Sequence, residues 1–409
     1  MKLSCRCPAI EPMPDAPSVT VDTRTITLQI VSIVFYTFIA FFCIGLPIAV
    51  LPGYVHDQLG FSAVIAGLVI GIQYLATLLS RPVAGHLVDS VGTKRTIIYG
   101  LVGIGASGLL TLISTLVQSV PDVSLAILLV ARVILGVAQG LIGVGSTSWG
   151  INQVGAEHSA RVISWSGIAS YGAIAAGAPL GVLLVDVLNF NAIGVVLMVL
   201  AALALWSIRN KAALPVTRSG ERMPFWAAFV RVAPYGAMLA LASIGYGTLT
   251  TFITLYYVEQ HWVGAAYCLT AFGISFVIAR MLFINAVNHL GGFSVAIICM
   301  AVEAVGLVLL WLAPNAVLAL IGASLTGFGL SLVYPALGVV AIRQVPASSR
   351  GAGLGAFAVF FDLSLAVAGP LMGAIAAHLG YASIYFAAAL LSLAGLGLTL
   401  LYKRRAGDE

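Results

Sequence analysis

The chain has 409 residues, of which 61% are hydrophobic and only 8% are charged. Soluble domains carry about 25% charged residues, so this composition excludes a water-soluble fold. The formal net charge of +5 is the only feature of the composition that would suggest nucleic-acid binding. We therefore expect no nucleic acid as a partner. A backbone in lipid must satisfy its own hydrogen bonds, which leaves helices or a closed barrel.

The predicted elements begin after an N-terminal tail, residues 1–25, which contains three acids and four prolines and lacks the apolar core of a cleavable signal peptide. Apolar windows of about 20 residues, the length that crosses a bilayer as a helix, follow at 26–54, 61–80, 96–117, 124–149, 162–185, 190–208, 232–258, 263–284, 293–313, 315–340, 352–377 and 381–402. These windows are apolar on every face, whereas barrel strands would alternate with a period of two. The predicted fold class is therefore an all-α membrane protein with twelve transmembrane helices.

The distribution of basic residues orients these helices in the membrane. With both termini in the cytoplasm, eighteen of the nineteen Lys and Arg residues fall in the tails and cytoplasmic connectors, and the external connectors hold none. This count places Arg81 in the second connector and Arg280 in the eighth, while the exception, Arg132, lies inside the fourth helix. The pattern predicts a multi-pass protein of the inner (plasma) membrane with both termini cytoplasmic.

The two halves of the chain resemble each other. A shift of 199 positions places Arg81 on Arg280 and Gly92 on Gly291. Two pseudo-symmetric six-helix bundles explain this repeat, and internal repeats with a site at their interface are typical of secondary transporters. The expected division is a cytosolic N-terminal tail 1–25, a six-helix bundle 26–208, a basic cytosolic linker 209–231, a second six-helix bundle 232–402 and a cytosolic C-terminal tail 403–409.

The connector GHLVDSVGTKR, residues 85–95, gathers charges that are scarce elsewhere in the chain. Asp89 can face the positive N-terminus of a neighbouring helix while Lys94 and Arg95 meet carbonyls or acids, and each contact contributes about 0.3 to 1 kcal/mol. If these contacts exist in one conformation only, the connector acts as a conformational latch that comprises Gly85, Asp89, Gly92, Lys94 and Arg95. The alternative is an orientation signal alone, which explains the two basic residues but not the acid or the glycines.

Three motifs resemble those of one family. GHLVDSVGTKR is similar to the loop signature of the major facilitator superfamily, with Ser90 where a basic residue often follows the Asp. ARVILGVAQG resembles the family's fourth-helix signature, whose Arg, here Arg132, is implicated in proton coupling. GAIAAGAPLG resembles the motif typical of its drug-efflux antiporters, with Ala178 where Gly usually precedes Pro. Over residues 26–402 the chain is thus similar to a twelve-helix member of this superfamily.

The fifth and eleventh helices each carry a proline among glycines. Small residues allow helices to pack closely, and proline bends a helix. The predicted helix-bend motif comprises Gly177, Pro179, Gly181, Gly369 and Pro370. These residues have two interpretations. One is the export of a solute, which the resemblance to drug-efflux antiporters implies, and the other is ordinary packing of membrane helices.

Four ionisable residues are candidates for proton coupling, because a charge inside a membrane requires a partner or a water-filled cavity. Asp362 is the leading candidate, since it lies near the middle of the eleventh helix and Tyr171 occupies the equivalent position of the fifth. Burial favours a neutral carboxyl group, so Asp362 can exchange a proton, and Arg132 can approach it and part from it. Glu303 in the ninth helix and Asp57 at the outer mouth are the other candidates. The alternative to proton coupling is a structural ion pair for Arg132 and a static, hydrogen-bonded acid for Asp362.

Aromatic and polar residues of the helices are candidates for a substrate cavity: Tyr36, Gln73, Trp149, Tyr246 and Tyr334. The sequence shows no nucleophile elbow, metal-binding His pair or phosphate loop, so we expect no enzyme, no metal site and no cofactor. Without a nucleotide-hydrolysing domain, transport has to be driven by an ion gradient.

The sequence therefore predicts a secondary active transporter, a proton-coupled antiporter that exports a small organic solute by alternating access. Its expected partners are the small-molecule substrate, protons and the lipid bilayer, and we expect it to function as a monomer. Two alternatives remain open, a proton-coupled importer of a sugar or organic acid and a membrane sensor built on a transporter scaffold.

The topology is testable by cysteine accessibility. Single cysteines introduced at Asn210 and Gln344 are expected to be shielded from membrane-impermeant thiol reagents in intact cells, because both positions lie in cytoplasmic connectors. A cysteine at Asn315, in an external connector, is expected to react. Labelling at Asn210 from outside would contradict this orientation.

Overall fold

The computed structural model of the chain describes residues 23–155, 158–213, 223–283, 286–346 and 350–407. These ranges contain helices and turns and no strand, which confirms the predicted all-α fold. Most of the expected N-terminal tail, residues 214–222 of the basic linker and the last two residues of the C-terminal tail lie outside the described residues.

Within these ranges, twelve helices are long and apolar enough to cross a membrane, as predicted. In chain order they are α1 Thr23–Ile48, α2 Ala63–Val91, α3 Thr93–Leu116, α4 Pro121–Val154, α5 Ser159–Leu188, α6 Asn191–Arg209, α7 Phe225–Glu259, α8 Ala265–Leu282, α9 Gly292–Trp311, α10 Ala316–Ile342, α11 Arg350–Leu379 and α12 Tyr381–Gly407. α10 consists of two segments, Ala316–Leu330 and Val333–Ile342. Short helical segments lie between the long helices of the described chain at Leu51–Gly53, Tyr54–Gln58 and Ala286–Leu290.

Several helices continue beyond the predicted windows and include basic residues that the sequence placed in connectors. α2 includes Arg81, which is therefore a helical residue and not part of a connector. At α2, the apolar window detects only the part of the helix that lies in lipid, whereas backbone hydrogen bonds continue through polar residues beyond it. Arg280 lies inside the predicted window 263–284 and inside α8, where it is buried with 6% of its surface exposed, so its assignment to a connector was also wrong.

The repeat in the sequence recurs in the backbone. Gly92 joins α2 directly to α3 and has φ 92° and ψ 160°. Gly291 precedes α9 with φ 78° and ψ 153°. Residues with a Cβ rarely adopt this conformation, so both positions favour glycine. Because the same shift of 199 positions relates the two glycines, equivalent helices of the two halves begin in the same way.

The helices pack as two bundles with the same internal pattern. In the N-terminal bundle, α1–α6, α3 packs on α4 and α6, α1 on α5, and α2 on α4. The C-terminal bundle, α7–α12, repeats these pairs as α9 with α10 and α12, α7 with α11, and α8 with α10. The bundles meet where α2 packs on α11 and α5 on α8, which are equivalent pairs. The fold is therefore two pseudo-symmetric six-helix bundles.

The two bundles touch closely at one face of the molecule. We call the face where α1 begins and α12 ends the terminal face. Odd-numbered helices run from the terminal face to the opposite face. Near the opposite face, a Cβ at Gly67 of α2 would lie 2.5 Å from the carbonyl oxygen of Gly369 in α11. Thr254 Oγ1 at the end of α7 donates a 2.7 Å hydrogen bond to the carbonyl oxygen of Ala49, after α1. These contacts hold the bundles together at the opposite face.

The glycines of the predicted helix-bend motif lie at close helix contacts. A Cβ at Gly181 of α5 would overlap the carbonyl oxygen of Leu46 in α1, and Gly177 faces the same helix. The prolines of the motif, Pro179 and Pro370, lie inside α5 and α11. Close packing of membrane helices therefore accounts for the small residues of this motif.

Replacing Gly369 by Ala is expected to weaken the contact at the opposite face, because the added Cβ would overlap the backbone of Gly67. A disulfide between cysteines placed at Ala49 and Thr254 measures this contact in a chain that lacks its five native cysteines. Overpacking typically costs about 1–3 kcal/mol, so we expect cross-linking to slow by about fivefold or more. The control is Gly397→Ala in α12, where the added Cβ has no neighbour within 4 Å. Equal cross-linking rates in the two variants would contradict this role.

Candidate functional site

An ion pair crosses the interface between the bundles. Arg81 Nε in α2 donates a hydrogen bond to Oδ2 of Asp362 in α11. The Asp362 side chain is 3% exposed and the Arg81 side chain is 23% exposed, so protein encloses the acid while the guanidinium reaches the edge of the interface. Buried charges are tolerated when they are paired and hydrogen-bonded. The pair ties α2 to α11 at a point nearer to the terminal face than the glycine contact.

Arg132 of α4 forms a separate polar group inside the N-terminal bundle. It is 1% exposed, and its Nη1 donates a 3.5 Å hydrogen bond to Gln73 Oε1 in α2. Its Nε and Nη2 have no hydrogen-bond partner within the described part of the chain. Gln73 donates in turn to Gln139 at 3.4 Å. Beside Arg132 lies a small cavity with room for about one water molecule, lined by aliphatic side chains together with Gln73 and Tyr74 of α2. In this structure Arg132 contacts Gln73, and the partner of Asp362 is Arg81; the coupling role of Arg132 stays a prediction.

The other two coupling candidates lie apart from the interface. Glu303 of α9 is fully buried inside the C-terminal bundle, where Ser392 Oγ donates a 3.4 Å hydrogen bond to its Oε2. Its Oε1 faces Gly245 of α7 and has no hydrogen-bond partner among the residues that the structure describes. Asp57 is exposed on the helical turn after α1, at the opposite face. Asp362 is therefore the candidate whose contact joins the bundles.

The connector of residues 85–95 lies at the terminal face, in the last turns of α2 and the first turn of α3. Lys94 Nζ donates hydrogen bonds to the carbonyl oxygens of Arg209, at 3.1 Å, and Lys211. These carbonyls lie at the C-terminal end of α6, where a cation is favourable. This contact is internal to the N-terminal bundle, so a latch between the bundles stays a prediction. The other members of the predicted latch are partly or fully exposed at the same face: Gly85, Asp89, Gly92 and Arg95.

Two of the predicted cavity residues, Tyr246 of α7 and Tyr334 of α10, belong to a group of aromatic rings between the bundles. The Tyr246 ring centroid lies 5.5 Å from that of Tyr171 in α5 and 6.3 Å from that of Phe361 in α11. Tyr334 lies 6.4 Å from the same Phe361 ring. We call this group, which spans both bundles, the aromatic cluster; its members are Tyr171, Tyr246, Phe272, Phe276, Tyr334 and Phe361.

The remaining cavity candidates lie within the N-terminal bundle. Gln73 contacts Arg132, as described above. The Tyr36 hydroxyl lies 3.1 Å from Ser207 Oγ of α6, which places it between α1 and α6. Trp149 is buried in α4, close to the terminal face. None of these three side chains belongs to the aromatic cluster as defined.

Arg280 of α8 is a site residue that the sequence did not reveal. Its Nη2 donates a hydrogen bond to the carbonyl oxygen of Ser331, between the two segments of α10. Its guanidinium carbon lies 4.8 Å from the ring centroid of Phe276. A Cβ at Gly167 of α5 would overlap Nη1, so this glycine leaves room for the guanidinium. Counting basic residues assigned Arg280 to a connector, whereas the internal repeat, which matches it to Arg81, is the signal that finds it.

Two repeated helical bundles that meet around buried charges and aromatic rings define the architecture of a membrane transporter. The sequence model of the Major Facilitator Superfamily matches residues 33–294 and 262–409, and the chain belongs to this family. Members of this family are transporters and not enzymes, which confirms the prediction of a multi-pass membrane transporter without enzymatic activity.

Relatives and solved structures agree with this assignment. The chain is 53% identical over 397 residues to an uncharacterized MFS-type transporter of Pseudomonas aeruginosa (strain UCBPP-PA14), which covers 97% of this chain and 98% of that protein. It is 50% identical over 381 residues to another of Burkholderia mallei (strain SAVP1), with 93% of each chain covered. The fold is similar to the human organic anion transporter MFSD10 (TM-score 0.70) and the nucleoside transporter NupG (TM-score 0.72), each 14% identical over 91% of this chain and 99% of the other.

The ion pair between the bundles is testable by a double-mutant cycle. Arg81→Gln and Asp362→Asn each leave one charged group without its partner, whereas the double variant leaves two neutral groups that can bond to each other. We therefore expect non-additive losses of thermal stability, with a coupling of about 0.5–3 kcal/mol. The measurement is thermal unfolding of the purified proteins in detergent. The control cycle combines Lys94→Gln with Asp57→Asn, which lie at opposite faces and are expected to be additive. Additive losses for Arg81 and Asp362 would show that the pair does not stabilise the fold.

Proposed function

We propose that the chain is a proton-coupled antiporter that exports a small organic solute across the inner membrane by alternating access. The ion pair between Arg81 and Asp362 is the observation that carries this proposal. Its two members belong to different bundles, so any movement that separates α2 from α11 at this point must break the pair. A charge contact of this kind links the conformation of the transporter to the charge state of one carboxyl group.

Protonation of Asp362 provides the coupling step. A proton on the carboxylate removes the negative charge that Arg81 binds, and the bundles can then part. The guanidinium is 23% exposed and can turn to water, whereas the acid, at 3% exposed, has little water to replace its partner. The unpaired acid therefore favours its protonated form, and the return of Arg81 favours release of the proton. A proton gradient drives the cycle if these two steps occur at different sides of the membrane.

The terminal face is the cytoplasmic face in this proposal. The described basic residues at that face include the end of α6 with Arg209 and Lys211, and the end of α12 with Lys403, Arg404 and Arg405. A cytoplasmic excess of Lys and Arg is the general rule for membrane proteins. The moving bodies are the bundles 26–208 and 232–402, the linker 209–231 connects them in the cytoplasm, and a single chain completes the transport cycle.

Export is favoured over import by the resemblance of one motif in α5, and the packing of its glycines does not depend on the direction of transport. GAIAAGAPLG resembles the motif of drug-efflux antiporters, and its Gly177 and Gly181 bring α1 against α5 in this structure. An importer of a sugar or organic acid would use the same ion pair with the opposite direction of solute movement. The direction is therefore measured in the experiment that tests the coupling.

Transport is tested in membrane vesicles with a solute selected by a thermal-shift screen of sugars, organic acids and drugs. An acidic interior is expected to drive uptake into everted vesicles, which is the direction of export. Asp362→Asn is expected to reduce this gradient-driven uptake to background and to leave solute exchange without a gradient largely intact, because the variant carries no exchangeable proton. Asp122→Asn, which changes an exposed acid at the start of α4 that is not a coupling candidate, is the matched control and is expected to behave as the wild type.

Two outcomes would change the proposal. If Asp362→Asn still accumulates the solute at the wild-type rate under a proton gradient, Asp362 is not the coupling residue, and Glu303→Gln is the next variant. If an acidic exterior drives uptake into right-side-out vesicles, and an acidic interior drives none into everted ones, the protein is an importer.

A further inference from the structure

We propose that the solute is an amphipathic organic anion whose acid group binds Arg280 and whose planar apolar part lies among the rings of the aromatic cluster. This inference rests on the proposed transport function and names the substrate class of the same interface. It follows from an unpaired cation, from an asymmetry of the internal repeat and from the rings that surround the cation.

Arg280 is a buried cation that forms no ion pair with any residue of the described ranges. It is 6% exposed, its Nη2 donates to a backbone carbonyl, and its Nε has no hydrogen-bond partner among the described residues. Neither Asp362 nor Glu303, the buried carboxylates of the described residues, pairs with it: Asp362 binds Arg81, and Glu303 accepts a hydrogen bond from Ser392 of α12. A guanidinium in a membrane protein interior is costly without an anionic partner. An anion bound at Arg280 would supply that partner.

The internal repeat indicates which partner is missing. Arg81 and Arg280 are equivalent under the shift of 199 positions, and both lie at the interface between the bundles. Asp362 and Tyr171 are equivalent as well, because each precedes the proline of its helix by eight residues. α11 therefore presents a carboxylate to Arg81, whereas α5 has a tyrosine at the position that would serve Arg280. We infer that the carboxylate for Arg280 comes from the solute.

Aromatic rings next to Arg280 provide surfaces for the apolar part of the solute. Phe276 lies under the guanidinium at 4.8 Å and stacks on Tyr171 with a centroid distance of 3.6 Å. The rings continue from Tyr171 to Tyr246 at 5.5 Å and then to Phe361 at 6.3 Å. Ring faces favour planar apolar groups, and a guanidinium binds a carboxylate through charge-assisted hydrogen bonds. An amphipathic anion satisfies both, whereas a sugar lacks the charge and a cation would be repelled.

Residues of the N-terminal bundle close the site around Arg280, which belongs to the C-terminal bundle. Tyr171 of α5 covers the Phe276 ring, and the backbone at Gly167 of α5 lies against Nη1 of Arg280. Because both covering residues belong to the N-terminal bundle, movement of α5 away from α8 uncovers the guanidinium and the ring together. Access to the site is therefore tied to the motion that also breaks the ion pair between the bundles.

The first test compares a planar anion with its neutral counterpart. Binding of naphthoate and of naphthamide to the purified full chain is measured by calorimetry. Wild type is expected to bind naphthoate about tenfold or more tightly than naphthamide, because the amide lacks the charge-assisted contact. Arg280→Gln is expected to weaken naphthoate binding by a similar factor and to leave naphthamide binding unchanged. The matched control, Arg405→Gln, removes an exposed arginine that also lies over a ring, 5.9 Å from the centroid of Tyr402, and is expected to bind both as wild type does.

A second pair of variants tests the missing carboxylate without any ligand. Tyr171→Asp supplies a carboxylate from α5. The asparagine of Tyr171→Asn has nearly the same shape as that aspartate but carries no charge. The Asp variant is expected to melt at a higher temperature than the Asn variant, because only the former pairs with Arg280. The inference is overturned if the two variants melt alike, if wild type fails to bind naphthoate or binds it no better than naphthamide, or if Arg280→Gln retains wild-type affinity for naphthoate.

Vesicle transport separates failure of this inference from failure of the proposed function. Gradient-driven accumulation of naphthoate that is lost in Arg280→Gln supports both. If a proton gradient drives accumulation of ethidium, a planar cation, or of uridine, but not of naphthoate, the substrate class is wrong and the proton-coupled transporter stands. Suppose the purified protein binds naphthoate through Arg280, but neither an acidic interior in everted vesicles nor an acidic exterior in right-side-out vesicles drives its uptake. The binding site then stands and the transport proposal fails.

Discussion

The arrangement of the two bundles depends on how charge is buried between them. A charged carboxylate in the middle of a membrane helix requires a partner, and Asp362 of α11 has the guanidinium of Arg81 of α2. That contact is possible because the helices approach each other closely at Gly67 and Gly369, where side chains would hold them apart. The two glycines near the opposite face thus set the distance between α2 and α11. At that distance the long side chain of Arg81, nearer the terminal face, reaches Asp362.

The two bundles share a scaffold and differ in chemistry. The backbone at Gly92 recurs at Gly291, and the packing pairs of the first bundle recur in the second, because both bundles must solve the same problem of helix packing. The carboxylate of Asp362 does not recur, and Tyr171 takes its place. A feature required by the scaffold is expected in both copies, whereas the scaffold does not explain a feature of one copy. This distinction links the proposed proton site to one bundle interface and the proposed anion site to the equivalent interface.

Buried polar groups fall into two kinds that respond differently to movement of the bundles. Arg132 with Gln73, and Glu303 with Ser392, each lie inside one bundle, so a rigid movement of the bundles leaves their contacts intact. Asp362 and Arg280 have neighbours from the other bundle, and the same movement changes their surroundings. Groups of the second kind can couple ligand and proton binding to conformation, since their interaction energy differs between the two states. The interaction energy of groups of the first kind does not change in such a movement.

The sequence by itself determined the twelve helices, the repeat and the family, because a long apolar segment in lipid has the helix as its stable form and because the loop and helix motifs lie within short stretches. It also identified Asp362 as an acid inside a helix. The tertiary structure alone decided that its partner is Arg81, 281 residues away in the chain, and that Arg280 lies among aromatic rings and not in a connector. The physical reason is that contacts between distant helices depend on their rotation, separation and length beyond the lipid, and local hydrophobicity does not encode these quantities.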